Sequence, residues 1–432
     1  MRSHENLSKK SLYLDERIDL SGGTKGWDNK SKEKAKDLPN FINATVGTAR
    51  NNDGSLLIFP TLLEEFGKLS GDQIFAYANI RGMPKFAKLW KEDTLASFPA
   101  DRVERTDRLS TLPLTSCGLT GGLSLAGEAF LDRDDSLLIP NSRWGNIDNV
   151  LLKNQRLKEV NYELLDGEGQ LSFLDLAEKI KILDNNGKKF GIYLNFPNNP
   201  SGISPSFEQV KILQESLSEV TTPTIILLDD AYEGYVYESD VINYSLFPHL
   251  VGLNENVIVV KMDGASKRYC AYGARLGAVT LGFGYEIDEE EKTSIREVLA
   301  KITRSSVSNS PRGIQEAIIN VLEDNGKQTK IQQERKIVHN ILSNRYKNMK
   351  RIADEKETKL LFPIEYNSGF FSYFLLKNNK SATEVSKKLL DKGLGTVPFE
   401  NRSNGLNGIR VAFCSIRDED IEKTTDILYS ID

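Results

Sequence analysis

Residues 190–202, FGIYLNFPNNPSG, join a short apolar run to a turn in which two asparagines lie between prolines. Similar apolar runs recur along the chain, and longer segments with helical spacing of apolar residues separate them. One such segment, residues 206–217, follows Pro205, which we expect in the first turn of a helix. This alternation predicts an α/β fold with a mostly parallel sheet that helices cover on both faces. The predicted strands are Ser136–Pro140, Phe190–Asn195, Thr224–Asp229, Asn256–Lys261 and Leu276–Leu281.

The pattern changes after Pro311, where α+β character replaces the alternation of strands and helices. We expect a long helix over residues 313–350, broken near Asn325-Gly326, and little parallel sheet beyond it. The remaining predicted elements are a strand at Phe370–Leu375, a helix at Ser381–Leu390, a strand at Ile409–Phe413 and a last helix after Ser415–Asp418. We therefore predict a large domain and a smaller one built from both chain ends. The large domain is predicted to span residues 60–310. The smaller domain is predicted to comprise residues 311–432, with the N-terminal segment 1–59 packed against it.

Composition predicts a soluble globular protein of a reducing compartment. Of 432 residues, 39% are hydrophobic, and 56 Lys and Arg against 61 Asp and Glu give a net charge of -5. This balance argues against a nucleic-acid binder, a polybasic membrane binder and a disordered protein. Three cysteines without a CxxC pair give no disulfide framework, and three scattered histidines lead us to expect no metal. Residues 1–40 contain no signal-peptide core and no stretch of the chain would span a bilayer, so we expect a cytoplasmic location.

Polar side chains with complementary chemistry follow the predicted strands, where the ligands of open α/β sheets collect. Asp229 and Tyr232 follow one strand, Lys267 follows the next, and Arg275 opens another. Each residue alone is ordinary for a turn or a surface, but their order fits one cofactor, pyridoxal phosphate (PLP). A lysine amine can hold PLP as a Schiff base, a buried carboxylate keeps the pyridine nitrogen protonated, and an arginine binds the phosphate through two hydrogen bonds.

Two motifs carry a resemblance to a known family. Asn198-Asn-Pro-Ser-Gly202 matches its Asn-Pro-x-Gly signature, and Ser266-Lys267 followed by Arg275-Leu-Gly277 matches its lysine signature in spacing. From about Ile42 to Asp432 the chain resembles the class I/II aminotransferases, PLP enzymes of fold type I, and within them the aspartate and aromatic aminotransferases. The resemblance implies a large PLP-binding domain with a sheet of the seven-stranded type and a smaller α+β domain.

The resemblance implies roles for the residues around the cofactor ring. Lys267 matches the lysine that holds PLP and moves a proton between the substrate Cα and the cofactor, a task for a neutral amine that desolvation favours. Asp229 matches the partner of the pyridinium nitrogen. Tyr232 and Asn199 match the donors to the ring oxygen. Trp144 matches an aromatic residue stacked on the ring, and Trp144 and Asn199 are also expected to contact substrate.

The resemblance also implies residues that bind the phosphate. Leu119 and Thr120 align with the phosphate loop of the family, ahead of a helix predicted at Leu123–Leu131, and helix N-termini bind anions. This turn is not a dinucleotide-binding fingerprint, because no strand–GxGxxG–helix unit surrounds it. Arg275 matches the phosphate-binding arginine. Tyr77 resembles the tyrosine that reaches the phosphate of the neighbouring subunit, so we expect a homodimer with shared active sites.

One position departs from the family pattern. The family often has a Ser or Thr that binds the phosphate three residues before the lysine, and this chain has Gly264 there. Either Ser266 or Arg268 compensates for the missing hydroxyl, or the phosphate has one contact fewer. The sequence leaves these possibilities open.

Three residues are expected to bind substrate carboxylates. Arg410 matches the arginine that binds the α-carboxylate, for which a planar guanidinium is better suited than an amine. Gly47 aligns with a backbone donor near the same carboxylate. Arg304 aligns, after a short insertion, with the arginine of the partner subunit that binds the side-chain carboxylate of dicarboxylic substrates.

The resemblance therefore implies transamination between an L-amino acid and a 2-oxo acid such as 2-oxoglutarate, with aspartate or an aromatic amino acid as the preferred donor. A PLP-dependent lyase or decarboxylase on the same fold would use the same Lys267, Asp229 and Tyr232, and only the product distinguishes it. A non-catalytic PLP-binding regulator typically carries a DNA-binding domain, and this chain has no spare basic module of that size.

Overall fold

The computed structural model describes residues 23–356, 360–377, 380–401 and 406–431. Residues 1–22 of the predicted N-terminal segment and Asp432 lie outside the described residues. The strands are β1 Ile42–Asn43, β2 Leu114–Cys117, β3 Ser136–Pro140, β4 Lys158–Tyr162, β5 Phe190–Asn195, β6 Thr224–Asp229, β7 Val257–Gly264, β8 Leu276–Phe283, β9 Leu361–Pro363, β10 Ser372–Leu376, β11 Leu394–Gly395, β12 Val397–Asn401 and β13 Leu406–Val411. The α-helices are Gly23–Lys34, Pro60–Gly67, Gly71–Phe75, Pro84–Leu95, Ala100–Arg108, Gly118–Phe130, Leu174–Asp184, Phe207–Ser218, Phe247–Leu250, Ala265–Arg268, Glu289–Ser306, Arg312–Leu322, Asn325–Asp354, Ala382–Asp391 and Ile421–Tyr429.

A seven-stranded sheet with the order β2-β8-β7-β6-β5-β3-β4 contains the central strands of the molecule. The strands run parallel except for β8, which is antiparallel to both of its neighbours, β2 and β7. β8 reverses direction because only residues 265–275 connect it to β7, and a parallel crossover needs a longer connection. The mostly parallel α/β sheet that the sequence predicts is therefore confirmed.

The predicted strands are found in the structure with small changes at their ends. β3, β5 and β6 have the predicted bounds, whereas β7 and β8 continue to Gly264 and Phe283. Every residue of β5 and β6 is buried, which explains their continuous apolar sequences. The sequence analysis did not identify β2 or β4, and β4 begins with two exposed charged residues at the sheet edge, so it contains no apolar run.

Both ends of the chain meet in smaller sheets. An antiparallel sheet has the order β12-β13-β10-β9. The strand β1 pairs in parallel with β11, so residues 42–43 lie beside residues 394–395. This pairing is compatible with a smaller domain built from both chain ends, but the division at residues 59/60 and 310/311 stays a prediction.

Several predicted helix ends are wrong for identifiable reasons. Ser206 caps the helix Phe207–Ser218 by accepting from the Gln209 backbone N–H, so Pro205 precedes the cap and is not in the first turn. The last helix begins at Ile421 and not directly after the predicted Ser415–Asp418 box, because a 3-10 turn over Asp418–Asp420 comes first.

The long segment after Pro311 divides as the sequence predicts. A helix over Arg312–Leu322 ends before Asp324, whose side chain accepts from the Lys327 backbone N–H and caps the helix Asn325–Asp354. The first of these helices packs against the helices Pro60–Gly67 and Pro84–Leu95. Within the described ranges, no helix has both the length and the apolar character needed to cross a membrane.

Candidate active site

A cavity of about 210 Å³ lies where β5, β6 and β7 reach their carboxyl ends. The ends of these strands and the connections after them supply part of its polar lining, as expected for an open α/β sheet. Most of the residues predicted from the sequence line it. They are Gly47, Leu119, Thr120, Trp144, Asn199, Asp229, Tyr232, Lys267, Arg275 and Arg410.

Lys267 lies in the short helix Ala265–Arg268, directly after β7. Removal from water lowers the pKa of the Lys267 amine, the positive charge of Arg275 lowers it further, and the carboxylate of Asp229 opposes both. The amine lies 5.0 Å from the centroid of the Tyr232 ring. The site therefore favours a neutral amine, the form that attacks carbonyl carbon and accepts protons.

Asp229 ends β6 and is 4% exposed. Its Oδ2 accepts a hydrogen bond from the Tyr193 hydroxyl at 2.9 Å, and its Oδ1 accepts from the Ala231 backbone N–H at 3.1 Å. Burial raises the pKa of Asp229, while the Tyr193 hydrogen bond and the positive charge of Lys267 oppose this shift. A buried carboxylate with two donors is suited to pairing with a cationic ring nitrogen.

Arg410, on β13, is 2% exposed and has two of its nitrogen atoms bound within the protein. One terminal nitrogen donates to Asn199 Oδ1 at 2.9 Å, and the other donates to the Thr45 carbonyl oxygen at 2.5 Å. Its Nε atom is buried and has no hydrogen-bond partner among the described residues. The guanidinium lies 4.2 Å from the centroid of the Phe371 ring, and burial lowers the pKa of Arg410 to about 10. The side chain is thus positioned as a cation with unsatisfied hydrogen-bonding capacity.

A glycine-containing helix start also contributes to the cavity lining. The helix Gly118–Phe130 begins directly after β2, so Leu119 and Thr120 lie in its first turn and not in a loop before Leu123. A strand and a helix flank this turn, and its sequence lacks the GxGxxG spacing of a dinucleotide-binding fingerprint. Gly118 has a φ of 69°, and a Cβ there would collide with the Arg275 guanidinium. The first turn of this helix and the Arg275 guanidinium therefore lie together, an arrangement suited to binding an anion.

The structure explains why Gly264 departs from the family pattern. A Cβ on Gly264 would lie 2.6 Å from the Leu276 carbonyl oxygen, so β7 and β8 leave no room for a Ser or Thr side chain. Arg268 does not replace the hydroxyl, because it pairs with Asp93 at 2.6 Å and does not line this cavity. Ser266 lines the cavity, and its Oγ lies 3.4 Å from a terminal nitrogen of Arg275.

A second cavity of about 310 Å³ lies beside the first and shares only Ala231 with its lining. Buried ion pairs border it: Lys261 lies 2.6 Å from Asp263 and 3.1 Å from Asp230. Lys261 is 1% exposed and these partners are also buried, so the ion pairs offset part of the cost of removing the charges from water. Among the described residues, no group of three or more His, Cys, Asp or Glu side chains is arranged to hold a metal ion.

Two predicted site residues do not line the cavity. Tyr77 is 86% exposed, and Arg304, at the end of the helix Glu289–Ser306, donates to the Ser308 hydroxyl. Both were expected to act in the site of a partner subunit, so these roles stay predictions.

Sequence analysis missed other lining residues. Asn195 accepts from the Asn199 backbone N–H and donates to the Asp229 carbonyl oxygen, and its position at a strand end could have identified it. Phe371 and Thr24 have no such signal, because distant segments of the chain bring them to the cavity. Tyr193 does not line the cavity but bonds to Asp229, and it was missed because its sequence position is that of a buried apolar residue of β5.

Comparisons with known proteins agree with this geometry. A sequence model described as "Aminotransferase class I and II" matches residues 39–428. The cytoplasmic aspartate aminotransferase of Dictyostelium discoideum is 24% identical over 57% of this chain and 55% of its own length, so the alignment spans about half of that relative. A probable aspartate aminotransferase of Methanocaldococcus jannaschii is 24% identical over 74% of this chain and 76% of its own.

Solved structures share the fold. An aminotransferase from Anaerococcus prevotii has a TM-score of 0.83 at 22% identity, covering 97% of this chain and 99% of its own. The Pyrococcus horikoshii kynurenine aminotransferase has a TM-score of 0.77 at 17% identity, covering 98% of each chain. The predicted fold type I is thereby confirmed. Because the family model matches nearly the whole chain, this protein belongs to the class I and II aminotransferases.

Proposed function

We propose that this protein is a PLP-dependent aminotransferase that moves an amino group between an L-amino acid and a 2-oxo acid such as 2-oxoglutarate. One observation carries the proposal: a desolvated amine, Lys267, lies in one cavity with a buried carboxylate, Asp229, and a buried guanidinium, Arg410. Membership of the family favours transamination over the lyase or decarboxylase alternative. Relatives named aspartate and tyrosine aminotransferases support aspartate or an aromatic amino acid as the donor.

The cavity lining fits the cofactor. Asp229 would accept a hydrogen bond from the ring nitrogen, and the Lys267 amine would bond to the carbonyl carbon of the cofactor. The first turn of the helix Gly118–Phe130 would bind the phosphate together with Arg275. Tyr232, Asn199 and Trp144 supply the phenol, the amide and the aromatic ring that the family uses around the cofactor. When bound, PLP supplies an electron sink for the electron pair released at the substrate Cα.

The residues themselves provide binding and proton transfer. Arg410 binds the α-carboxylate through its planar guanidinium, and Asn199 and Thr45 hold that guanidinium in place. Gly47 leaves space beside it, since a Cβ there would lie 2.7 Å from the Phe371 ring. Burial favours the neutral form of the Lys267 amine, which would remove the proton from the substrate Cα and transfer it to the cofactor.

The same proposal includes a cytoplasmic homodimer in which each chain contributes residues to the active site of its partner. Tyr77 and Arg304 lie outside the cavity, and Phe75, which is 85% exposed beside Tyr77, is an apolar side chain suited to an interface. In this arrangement Tyr77 reaches the phosphate of the partner site and Arg304 its substrate. Relatives named as cytoplasmic enzymes support the location.

Product analysis tests the reaction type. The purified protein is supplied with PLP, L-aspartate and 2-oxoglutarate, and then with L-tyrosine in place of aspartate. We expect glutamate and the 2-oxo acid of the donor to form in equal amounts, and the Lys267→Ala variant to form neither. Release of carbon dioxide or ammonia without formation of glutamate would contradict transamination and favour the alternative.

A further inference from the structure

Tyr193 occupies a position from which it acts on the carboxylate of Asp229. It lies on β5, is 1% exposed, and its hydroxyl donates to Asp229 Oδ2 at 2.9 Å. The strands β5 and β6 pair in register with Asn195 opposite Asp229, so Tyr193 and Asp229 are diagonal neighbours on the same face of the sheet. The contact is therefore fixed by two buried central strands.

The contact supplies one of the two hydrogen bonds that the Asp229 carboxylate receives from the described residues. The Ala231 backbone N–H binds Oδ1 at 3.1 Å, and Tyr193 binds Oδ2. The other titratable groups facing Asp229 are Lys267 and the phenol of Tyr232. No substitution of a side chain removes the backbone donor, so Tyr193 is the contact through which a side chain adjusts this carboxylate.

General principles indicate which protonation state of Asp229 the contact favours. Burial disfavours an ionised carboxylate, and a donor bonded to it favours the ionised form. Burial also raises the pKa of Tyr193 well above its ordinary value, so the phenol stays protonated and remains a donor. A hydrogen bond to a charged group contributes more than one between neutral groups, and the low dielectric of the interior strengthens it further.

We infer that Tyr193 is a positioning residue for the cofactor: its phenol orients the Asp229 carboxylate and favours the ionised form that pairs with the pyridinium nitrogen. This inference rests on the proposed function. It adds a role for a residue that does not line the cavity and so would touch neither substrate nor cofactor.

The chain offers a matched control. Tyr162 is also 1% exposed and lies on β4 of the same sheet, and its hydroxyl donates to the Tyr193 carbonyl oxygen at 3.2 Å. Tyr162→Phe and Tyr193→Phe each delete one buried hydroxyl that makes one hydrogen bond. Only Tyr193→Phe changes the surroundings of the Asp229 carboxylate.

The experiment measures dissociation constants of the apoprotein for PLP and for an analogue whose ring nitrogen is replaced by C–H. We expect Tyr193→Phe to raise the dissociation constant for PLP about tenfold to a hundredfold and to leave that for the analogue unchanged. Tyr162→Phe should leave both constants as in the wild type. The ratio of the two constants does not depend on the fraction of folded protein, so a loss of stability cannot imitate the result.

Two results would overturn the inference. One is PLP binding by Tyr193→Phe that equals that of the wild type. The other is an equal loss of affinity for PLP and the analogue, which would assign a general packing role. If the wild-type protein binds PLP no better than it binds the analogue, the role of Asp229 and the inference both fail. If the wild-type protein binds neither compound, the proposed function itself fails.

Discussion

Arg410 is the residue on which substrate binding depends in the proposed reaction. Its guanidinium is shared between Asn199, Thr45 and the face of Phe371, and it retains an unpartnered Nε. A lysine at this position is a point charge and cannot keep these contacts while it binds a carboxylate at two atoms. Substrate affinity should therefore suffer while the cofactor site stays intact.

We predict that Arg410→Lys raises the KM for the amino donor about tenfold to a hundredfold, the cost of losing charge-assisted hydrogen bonds. The dissociation constant for PLP, measured on the same preparation, should not change and serves as the internal control. Steady-state kinetics with several donors gives the KM values. A loss of PLP affinity as large as the loss of substrate affinity would contradict the assignment.

At the scale of residues, the sequence predicted the reactive and binding side chains better than the residues that support them. Asn199 and Lys267 lie in the two motifs, Asp229 follows a predicted strand, and Arg410 was assigned by the resemblance to the family. The structure brings all four to one cavity. Motifs contain no information about support from other segments. Tyr193 supports Asp229 from a neighbouring strand, so its role appears only when β5 and β6 are paired in register.

At the scale of elements, the start of the helix Gly118–Phe130 combines a left-handed backbone conformation with the proposed binding of the phosphate. Gly118 has a φ of 69°, which an alanine adopts at a cost, and its missing Cβ leaves room for Arg275. Gly121, one turn along the helix, makes only ordinary van der Waals contacts at the position of a Cβ. A side chain is therefore unfavourable at Gly118, whereas the space at Gly121 accommodates a Cβ.

Gly118→Ala is predicted to weaken PLP binding and to lower the free energy of unfolding of the apoprotein by about 1 kcal/mol or more. Gly121→Ala should be neutral or stabilising, because alanine favours a helix interior. Urea unfolding and PLP titration of both variants check this. Equal effects of the two substitutions would show that Gly118 has no special part in the site.

The short helix Phe247–Leu250 contains a histidine that should make stability depend on pH. Burial lowers the pKa of His249 from 6.5 to about 4, and Arg102 adds to the shift while Asp101 opposes it. The ring stacks on Tyr244, whose hydroxyl lies 3.0 Å from Nε2. Because the unfolded chain binds the proton more readily, stability is retained above pH 6.5 and is lost as the pH falls towards 4.

His249→Gln should remove this loss. Between pH 6.5 and about 4, the wild type is predicted to lose up to about 3 kcal/mol more stability than the variant. His339→Gln, which replaces a histidine bonded to the Val236 carbonyl oxygen, is the control. Denaturant unfolding at several pH values measures the difference. A pH dependence that is the same in wild type and His249→Gln would contradict the assignment.

How far elements could be predicted depended on their burial. The buried central strands β3, β5 and β6 were predicted to the residue, because continuous apolar runs give a strong signal. The strand β4 was missed because it lies at an edge and is partly exposed. The last helix was placed too early because a 3-10 turn and an α-helix can begin with the same polar residues.

At the scale of the whole molecule, the proposal requires two chains. Tyr77 and Arg304 lie outside the cavity of their own chain, and Tyr77 is 86% exposed. If these residues complete the partner site, an inactive Lys267→Ala chain still supplies an intact Tyr77 to its partner. Defects in different chains should then complement each other.

We predict that a mixture of Lys267→Ala and Tyr77→Ala chains, unfolded and refolded together, regains activity that each variant alone lacks or has lost in part. In mixed dimers, the site with an intact Lys267 receives Tyr77 from the Lys267→Ala chain. Aminotransferase assays before and after mixing, with sizing chromatography, check this. Activity equal to the mean of the two separate variants would contradict shared sites.

The visible absorption spectrum of the purified protein tests the central claim most directly. With PLP bound, the protein should be yellow, lose this band when L-aspartate or L-tyrosine is added, and regain it with 2-oxoglutarate, because the amino group then leaves the cofactor. The Lys267→Ala variant should lack the band of the lysine-bound cofactor. A wild-type protein with no cofactor band after reconstitution, or a band that Lys267→Ala leaves unchanged, would contradict the account.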